Sequence, residues 1–270
     1  VFNFFKGYIN MKILIIRHGD PDYSIDSLTE KGWREAELLS ERLKDAGITS
    51  FYCSPLGRAN DTAKPTLDKL EAITGTRPKV EILDWLREFP ASIDLDQVKL
   101  GAPVGTPNMR CPWNMPPQYW SFRPEFFTPD WRENELYQAD GCKVVETYER
   151  IVAGYDELCA RHGYRRLKNP DGKPGYIYEK SPDAETAQTL ALFCHLGLGN
   201  ALLSAVTGIP LPLFWKSFFL PTTSVTTLLM EENPLYPNRP QARVIGLGDV
   251  SHLYAGGEPT SSSGLFCEIT

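Results

Sequence analysis

Two histidines each come directly after a segment that has the pattern of a buried β-strand. His18 ends the segment that begins with the apolar run 12–16, and His195 follows residues 190–194. Because the carboxyl ends of parallel strands meet at the ligand-binding edge of an α/β sheet, the pattern predicts that both histidines lie at one rim. Arg58, just past the second predicted strand, is expected at the same rim.

The arginines near these histidines favour an anionic ligand over a metal ion. Arg17 directly precedes His18, and Arg58 is the second arginine of the predicted rim. Paired guanidinium groups bind phosphate or carboxylate through charge-assisted hydrogen bonds, and they repel a cation. The sequence has no HExxH motif and no cluster of cysteine and histidine with metal-ligand spacing. We therefore expect a site for a phosphate or carboxylate group that holds no metal ion, and we expect no cofactor.

The elements that must position these residues alternate along the chain. Strands are predicted at 12–16, 48–53 and 80–83, and helices between them at 29–46 (with Thr29 as N-cap and Gly47 as stop) and 58–74 (kinked at Pro65). Further on, the patterns predict a helix at 142–161, a turn at 169–172, a strand at 190–194, a helix at 199–206 and strands at 225–230 and 242–245. This alternation is typical of an α/β protein with a mainly parallel sheet.

The composition changes between Gly101 and Trp131, where seven prolines and three of the six tryptophans occur. Aromatic residues are too frequent for a disordered linker, and prolines are too frequent for a regular helix. The segment is predicted to be an ordered cap inserted in the sheet domain. A lid over the pocket and the interface of a homodimer are equally open alternatives for it. Its arginines, which could reach a second acidic group of a substrate, are Arg110, Arg123 and Arg132.

Composition argues against two classes of partner. The net charge is −6, from 28 basic and 34 acidic residues, whereas a nucleic-acid binder normally has a basic surplus. No apolar run approaches the roughly 20 residues that span a bilayer. The six cysteines show no CxxC spacing, which fits reduced thiols in the cytoplasm. We therefore expect a cytoplasmic protein that binds neither nucleic acid nor membrane.

Five short motifs resemble, in order, those of the histidine phosphatase superfamily, the phosphoglycerate mutase-like clan. Residues 14–19 (LIIRHG) resemble its RHG signature, and residues 28–32 (LTEKG) resemble its L-T-x-x-G helix start. Residues 54–63 (SPLGRANDTA) are similar to its S-P-L-x-R-A-x-x-T-A motif. Residues 86–88 and 193–195 stand where the family keeps its acid and its second histidine.

The resemblance implies a three-layer α/β/α sandwich and a role for each motif residue. His18 would be the nucleophile that takes the phosphoryl group as a phosphohistidine, and Glu88 would protonate the leaving alcohol. The phosphate oxygens would be held by Arg17, Arg58 and His195. Two nearby carboxylates, Asp84 and Asp94, are alternatives for the acid.

The sequence departs from the family pattern at several places, and the lack of a mutase-type stretch favours a phosphatase. Asp20-Pro21 follows the RHG motif where the family often has Glu and Ser or Thr, and Leu196 follows His195 where glycine is usual. The longer Asn/Trp-containing stretch of the mutase branch is not found. We expect a metal-independent phosphomonoesterase that acts through His18 on a small phosphorylated metabolite. A phosphoglycerate mutase-type phosphotransferase and a catalytically inactive phosphate-binding module are the alternatives.

Residues 1–10 are expected to be an N-terminal extension. Residues 11–270 are expected to form one histidine phosphatase-like domain with an insertion at about 89–140. Of the remaining candidates, His252 is expected to support the site from behind, and His162 to be solvated at the end of a helix. Cys53 and Cys194, beside the motifs, are expected to be small buried hydrophobic residues.

Overall fold

The computed structural model describes residues 11–94, 109–121, 123–170, 172, 174–185, 187–233 and 235–268. The strands are β1 (Lys12–Arg17), β2 (Pro21–Asp22), β3 (Ser27–Leu28), β4 (Ser50–Cys53), β5 (Val80–Ile82), β6 (Ile93–Asp94), β7 (Met109–Arg110), β8 (Tyr164–Lys168), β9 (Pro174–Lys180), β10 (Thr189–Cys194), β11 (Val225–Glu231) and β12 (Gln241–Asp249). The α-helices are α1 (Glu30–Leu43), α2 (Gly57–Thr74), α3 (Pro117–Ser121), α4 (Val144–Arg161), α5 (Leu196–Thr207), α6 (Leu211–Ser217) and α7 (Ser251–Gly256). Short 3-10 helices lie at Asp84–Leu86, Pro112–Asn114, Pro124–Phe127 and Pro129–Glu133.

Eight strands form the main sheet in the order β5-β4-β10-β1-β11-β12-β9-β8. The first four are mutually parallel, which confirms the predicted parallel core. The other four pair antiparallel, so the sheet is mixed. Two of these, β8 and β9, were not predicted; they form a hairpin whose connection contains the predicted turn at 169–172.

Alternate residues of the core strands supply two separate apolar clusters, one on each face of the sheet. Ile13 and Ile15 pack with side chains of α4, α5 and α6. Leu14 and Ile16 pack with α1 and α2. A strand covered on both faces must be apolar throughout, which explains the unbroken run in β1. The result is the predicted α/β/α arrangement of three layers.

The helix boundaries that matter most lie next to the predicted site. Thr29 is the N-cap of α1, as predicted, because its hydroxyl accepts the N–H of Gly32 (3.0 Å). The helix ends at Leu43, three residues before the predicted end. Helix α2 continues without interruption through Pro65. Helix α5 begins at Leu196, three residues earlier than predicted, so that His195 is its N-cap residue.

The aromatic segment, where described, is part of the core. Trp120, Phe126 and Trp131 are buried, and the Trp131 ring meets the ring of Tyr148 on α4 edge to face at 5.2 Å. Residues 95–108, which include the start of the predicted cap, lie outside the described residues.

Two arginines of this segment pack on aromatic rings. Arg123 stacks on Tyr119 with its guanidinium carbon 3.9 Å from the ring centre. Arg132 lies against two core rings at 4.7 and 4.8 Å. Arg110 is exposed on β7. The expectation that these arginines reach a second acidic group of a substrate stays a prediction, beside a solvated or an interface role for each.

Within the described part of the chain, no helix combines the length and the apolar character needed to cross a lipid bilayer.

Cys53 and Cys194 are free and fully buried, as expected, and burial raises the pKa of the Cys53 thiol to about 12. Neither is a reactive thiolate at neutral pH.

Glu35 on α1 is a carboxyl group that the fold removes from solvent. Its Oε2 accepts the backbone N–H of Asp20 (2.9 Å), and its Oε1 accepts the Thr222 hydroxyl (3.0 Å). It therefore joins the loop after β1 to the loop before β11. Burial raises the pKa of Glu35 to about 7, against the opposing effects of its two hydrogen bonds and of Lys31.

Glu35 should make the stability of the protein depend on pH. Because its folded-state pKa exceeds the ordinary value of 4.5, the folded state binds the proton more tightly than the unfolded state. The free energy of unfolding should therefore fall by about 3 kcal/mol as pH rises from below 4.5 to above 7. Urea unfolding between pH 4 and 8 measures this slope.

Glu35→Gln should remove this slope, since the glutamine oxygen can accept the Asp20 N–H and its amide can donate to Thr222. Glu37→Gln, an exposed change on the same helix, is the control and should keep the wild-type slope. An unchanged slope in Glu35→Gln would show that another group titrates.

Candidate active site

His18 is the first residue beyond the carboxyl end of β1, and the backbone on both sides fixes its place. Its N–H donates to the carbonyl of Cys194 at the end of β10 (2.9 Å), and its carbonyl accepts the N–H of Thr223 (3.2 Å). The side chain is only 2% exposed. The predicted convergence of two strand ends is therefore present in the backbone itself.

The His18 ring is held in the form that a nucleophile needs. Its Nδ1 lies 2.7 Å from the carbonyl oxygen of Gly19, which can only accept, so Nδ1 carries the proton and Nε2 presents its lone pair. Burial holds the pKa of His18 well below its ordinary value, and the neighbouring charges of Arg17 and Arg58 lower it further. The imidazole is neutral at neutral pH.

Two glycines let the loop after His18 pack against the start of α1. A Cβ on Gly19 would lie 2.8 Å from the Gly32 carbonyl oxygen, and one on Gly32 would lie 2.2 Å from that of Asp20. The Gly19 N–H also donates to the Thr62 hydroxyl (2.9 Å), which ties the loop to α2. The motifs at 14–19, 28–32 and 54–63 thus meet around the backbone of Gly19.

Arg17 is buried without a carboxylate partner among the described residues. Its Nη1 donates to the carbonyl of Leu220 and its Nη2 to that of Ser263, both at 2.7 Å. Its guanidinium carbon lies 5.3 Å from the ring centre of Phe219. Burial lowers the pKa of Arg17, and its Nε has no hydrogen-bond partner within the described part of the chain.

Arg58 lies in the first turn of α2, held by the loop between β2 and β3. Its Nη1 donates to Oδ1 of Asp26 (2.5 Å), whose Oδ2 accepts the N–H of Gly57 (2.7 Å). A Cβ on Gly57 would lie 2.2 Å from the Asp26 carbonyl oxygen, so this approach requires glycine. The Nε of Arg58 is buried and also lacks a partner among the described residues.

His195 faces His18 from the N-terminus of α5, with 5.2 Å between the ring centres. Its Nε2 lies 2.8 Å from the Ser54 hydroxyl, which can donate to it and so place the ring proton on Nδ1. This Nδ1 is buried and finds no partner in the described residues. Burial first, and then the proximity of His18 and the arginines, hold the pKa of His195 well below its ordinary value.

Glu88 lies against the same helix terminus as His195. Its Oε1 accepts the N–H groups of Phe89 (2.9 Å) and Leu198 (3.0 Å), and its Oε2 accepts that of Gly197 (3.0 Å). Oε2 therefore has one backbone bond and is the oxygen better placed to carry a proton. Removal of the carboxyl group from water raises the pKa of Glu88, although these bonds oppose the shift.

The alternative acids are less well placed. Asp84 is exposed and paired with Arg87 (2.5 Å) and Arg150 (3.2 Å). Asp94 ends β6, beyond the 3-10 helix and the turn that carry Glu88. Of the three predicted carboxylates, Glu88 is the one in contact with the helix terminus that His195 caps; its role as the acid stays a prediction.

The two other histidines have different surroundings. His252 lies 3.1 Å from the hydroxyl of Thr223, the residue whose N–H binds the His18 carbonyl, so it stands behind the site as expected. His162 is not solvated: it is half-buried between the Tyr52 hydroxyl (2.7 Å) and the Gln188 side chain. The prediction for His162 is wrong because sequence position shows the helix end but not what packs on it.

Two supporting contacts were not predicted, those of Asp26 with Arg58 and of Ser263 with Arg17. Neither belongs to a motif, and both come from loops that are distant along the chain from the arginine they hold. Among the described residues, no group of three or more His, Cys, Asp or Glu side chains could hold a metal ion.

The fold and the site define an α/β protein in which two histidines and two arginines stand at the carboxyl edge of the parallel strands. Residues 13–93 match the model of the histidine phosphatase superfamily (branch 1). A 2,3-bisphosphoglycerate-dependent phosphoglycerate mutase from Thermoplasma acidophilum is 42% identical over 69 residues, 22% of this chain and 34% of the relative. The chain thus spans about a third of the length of this relative. Residues 13–93 are therefore similar to the histidine phosphatase superfamily.

Solved structures show the same fold. A phosphoserine phosphatase mutant from Entamoeba histolytica, in complex with phosphoserine, has a TM-score of 0.55 at 15% identity, covering 90% of this chain and 99% of its own. A mycobacterial glucosyl-3-phosphoglycerate phosphatase has a TM-score of 0.53 at 20% identity, covering 88% and 98%. At these identities the likeness concerns the fold.

Inorganic phosphate should bind this site through its guanidinium groups. Arg58→Gln should weaken binding by about 10- to 100-fold, since a hydrogen bond to a charged group contributes about 1.5–3 kcal/mol. Isothermal titration calorimetry with inorganic phosphate measures the change. Arg77→Gln removes the same charge from an exposed arginine paired with Asp68 and should bind as the wild type does. Equal affinities of the two variants would place the phosphate elsewhere.

Proposed function

We propose that the protein is a metal-independent phosphomonoesterase that acts through a phosphohistidine on His18. The observation that carries this proposal is a set of three buried nitrogens without partners among the described residues: Nε of Arg17, Nε of Arg58 and Nδ1 of His195. All three side chains adjoin the neutral imidazole of His18, whose Nε2 carries the lone pair. Buried donors left unpaired cost free energy, and an anion's oxygens would satisfy them.

The geometry supports transfer in two steps. The Nε2 lone pair of His18 attacks phosphorus, the P–O bond to the alcohol breaks, and the alcohol oxygen takes the proton of Glu88. A water molecule then attacks phosphorus, the P–N bond breaks, and the Glu88 carboxylate takes the proton of the water. Phosphate is released and the His18 lone pair is restored. The fixed arginines stabilise the charge on the phosphoryl oxygens in both steps.

A small phosphorylated metabolite is the proposed substrate. The solved relatives supply two examples in their own names, phosphoserine and glucosyl-3-phosphoglycerate. The relative from Thermoplasma acidophilum is a mutase, which makes mutase activity the second candidate. A mutase must retain a bisphosphorylated intermediate and return one phosphoryl group to it, whereas a phosphatase passes that group to water.

His18→Ala should abolish phosphate release while leaving the fold intact. Wild type incubated with a labelled phosphomonoester and quenched should carry acid-labile label, and His18→Ala should carry none. His162→Gln is the histidine control and should keep both label and turnover, because His162 is the C-cap residue of α4 and contacts Gln188, which directly precedes the amino end of β10. EDTA should leave the wild-type rate unchanged. Turnover that persists in His18→Ala would refute the proposal.

The same preparation separates phosphatase from mutase. Incubation of 3-phosphoglycerate with a trace of 2,3-bisphosphoglycerate should yield no 2-phosphoglycerate. Isomerisation faster than phosphate release would establish the mutase instead.

Glu88→Gln should slow the hydrolysis of alkyl phosphates by about 10²–10⁴-fold, because their leaving alcohol needs a proton. p-Nitrophenyl phosphate should be slowed far less, since its leaving group departs as the anion. In the wild type, kcat/KM for alkyl esters should fall as pH rises through the raised pKa of Glu88, because only the protonated carboxyl donates. Asp84→Asn, which changes an exposed carboxylate nearby, is the control. Equal losses on both ester types would make Glu88 a positioning residue.

A further inference from the structure

A cavity of about 500 Å³ adjoins the phosphate site and is walled by the aromatic segment, by α6 and by the chain beyond α7. Its walls include the rings of Trp113, Trp120, Trp215, Phe218 and Phe219. Sites for small molecules have volumes of about 300–1,000 Å³, and a cavity of about 150 Å³ already holds benzene. The cavity is therefore large enough for a substrate part bigger than one ring.

The cavity meets the site on the side of the leaving group. The Phe219 ring of its wall contacts the Arg17 guanidinium, 5.3 Å from its centre. A Cβ built on Gly197 would lie 2.1 Å from the Trp113 ring and 2.8 Å from Oε1 of Glu88, so the indole and the carboxyl are neighbours. Since the leaving oxygen must face Glu88, the organic part of an ester would extend into this cavity.

The cavity lining is poor in cationic partners for an acidic substrate part. Among the described residues that line it, Lys216 is the one charged side chain; it is exposed, with its ammonium group 5.0 Å from the centre of the Phe127 ring. A carboxylate or second phosphate buried between aromatic walls would lose its hydration without gaining paired guanidinium groups.

One polar atom of the wall is unpaired and buried. Asn200 is 1% exposed, and its Nδ2 donates to the carbonyl of Phe218 (3.2 Å), which fixes the orientation of the amide. Its Oδ1 has no partner among the described residues. Asn200 lies one helical turn after Leu196 on α5, and both line the cavity. An acceptor held in this way suits a ligand donor.

We propose that this cavity binds the organic part of the substrate, and that this part is an apolar, ring-containing body with a hydroxyl or N–H that donates to Oδ1 of Asn200. The inference rests on the proposed phosphatase function, because it names the substrate class of that site. It separates this protein's substrates from phosphoglycerates, whose organic part is a short acid.

Rates on matched esters test the proposal. The series is propyl phosphate, 3-phenylpropyl phosphate, its three ring-hydroxylated isomers and 3-phosphoglycerate. The phenyl ester should exceed propyl phosphate in kcat/KM by about 10- to 100-fold, as burial of a phenyl group provides. The best hydroxylated isomer should exceed the phenyl ester in kcat/KM by about three- to tenfold. Equal rates on the propyl and phenyl esters, or a preference for 3-phosphoglycerate, would overturn the proposal.

Two variants locate the effect. Asn200→Leu keeps the branched shape of the side chain without the acceptor, so it should lose the hydroxyl preference and keep the phenyl preference. Ser121→Trp narrows the cavity from an exposed rim position and should bring the aryl esters down to the rate of propyl phosphate, which stays unchanged. Ser121→Ala is its control and should behave as wild type. If Asn200→Leu keeps the hydroxyl preference, Asn200 does not bind the hydroxyl group. If Asn200→Leu does not fold, Ser121→Trp still tests the cavity.

Binding without turnover separates this inference from the proposed function. 4-Phenylbutylphosphonate, which cannot be hydrolysed, should quench the fluorescence of the wall tryptophans and bind at least tenfold more weakly to Ser121→Trp. One outcome is that the phosphonate binds as expected but no ester releases phosphate, not even p-nitrophenyl phosphate. The phosphatase proposal then fails and the cavity inference stands. If esters are hydrolysed without preference and the phosphonate binds both proteins equally, only the cavity inference fails.

Discussion

The burial of the Arg17 guanidinium group without a carboxylate is the constraint on which the site depends. A carboxylate in contact with it would offset part of its positive charge, as Asp26 does for Arg58. Instead, two backbone carbonyls, those of Leu220 and Ser263, satisfy its terminal nitrogens and leave its charge in place. The retained charge also helps to hold the pKa of His18 down, so the group that would attract an anion keeps the imidazole neutral.

The mixed sheet explains how one arginine can be held from two sides. The parallel half brings the ends of β1, β4 and β10 to a common rim, where His18 and His195 stand. The antiparallel neighbour β11 enters the sheet from that same rim, so the loop before it lies beside His18. From this loop Thr223 donates to His18, and Leu220 accepts from Arg17. A wholly parallel sheet would place no strand entrance next to β1 at this edge.

The sequence allowed the centre of the site to be predicted because its motifs are local. Arg17 and His18 directly follow an apolar run, and His195 follows another, so strand periodicity alone placed them at one edge. The strands β8 and β9 escaped notice because their residues are largely polar or exposed, with no strong apolar alternation.

The supporting residues could not be found in this way, since each acts at long range. Ser263 reaches Arg17 across 246 positions, and Asp26 reaches Arg58 across 32. Asn200 stands in a largely apolar helix, and only its hydrogen bond to the Phe218 carbonyl shows which atom of its amide is left unpaired among the described residues. Residue type limits what a side chain can do, but its partner decides which of those possibilities is realised.

The position of β1 at the centre of the sheet has a consequence for biosynthesis. Its two neighbours, β10 and β11, come more than 170 residues later in the chain, and the Ser263 carbonyl later still. At about 5–20 residues per second, the ribosome would take roughly 12–50 s to make the 246 residues between Arg17 and Ser263. Until β10 and β11 have been made, the apolar strand β1 lacks both of its neighbours in the sheet. A nascent chain of this protein therefore presents an unpaired apolar strand to chaperones well before the surroundings of Arg17 are complete.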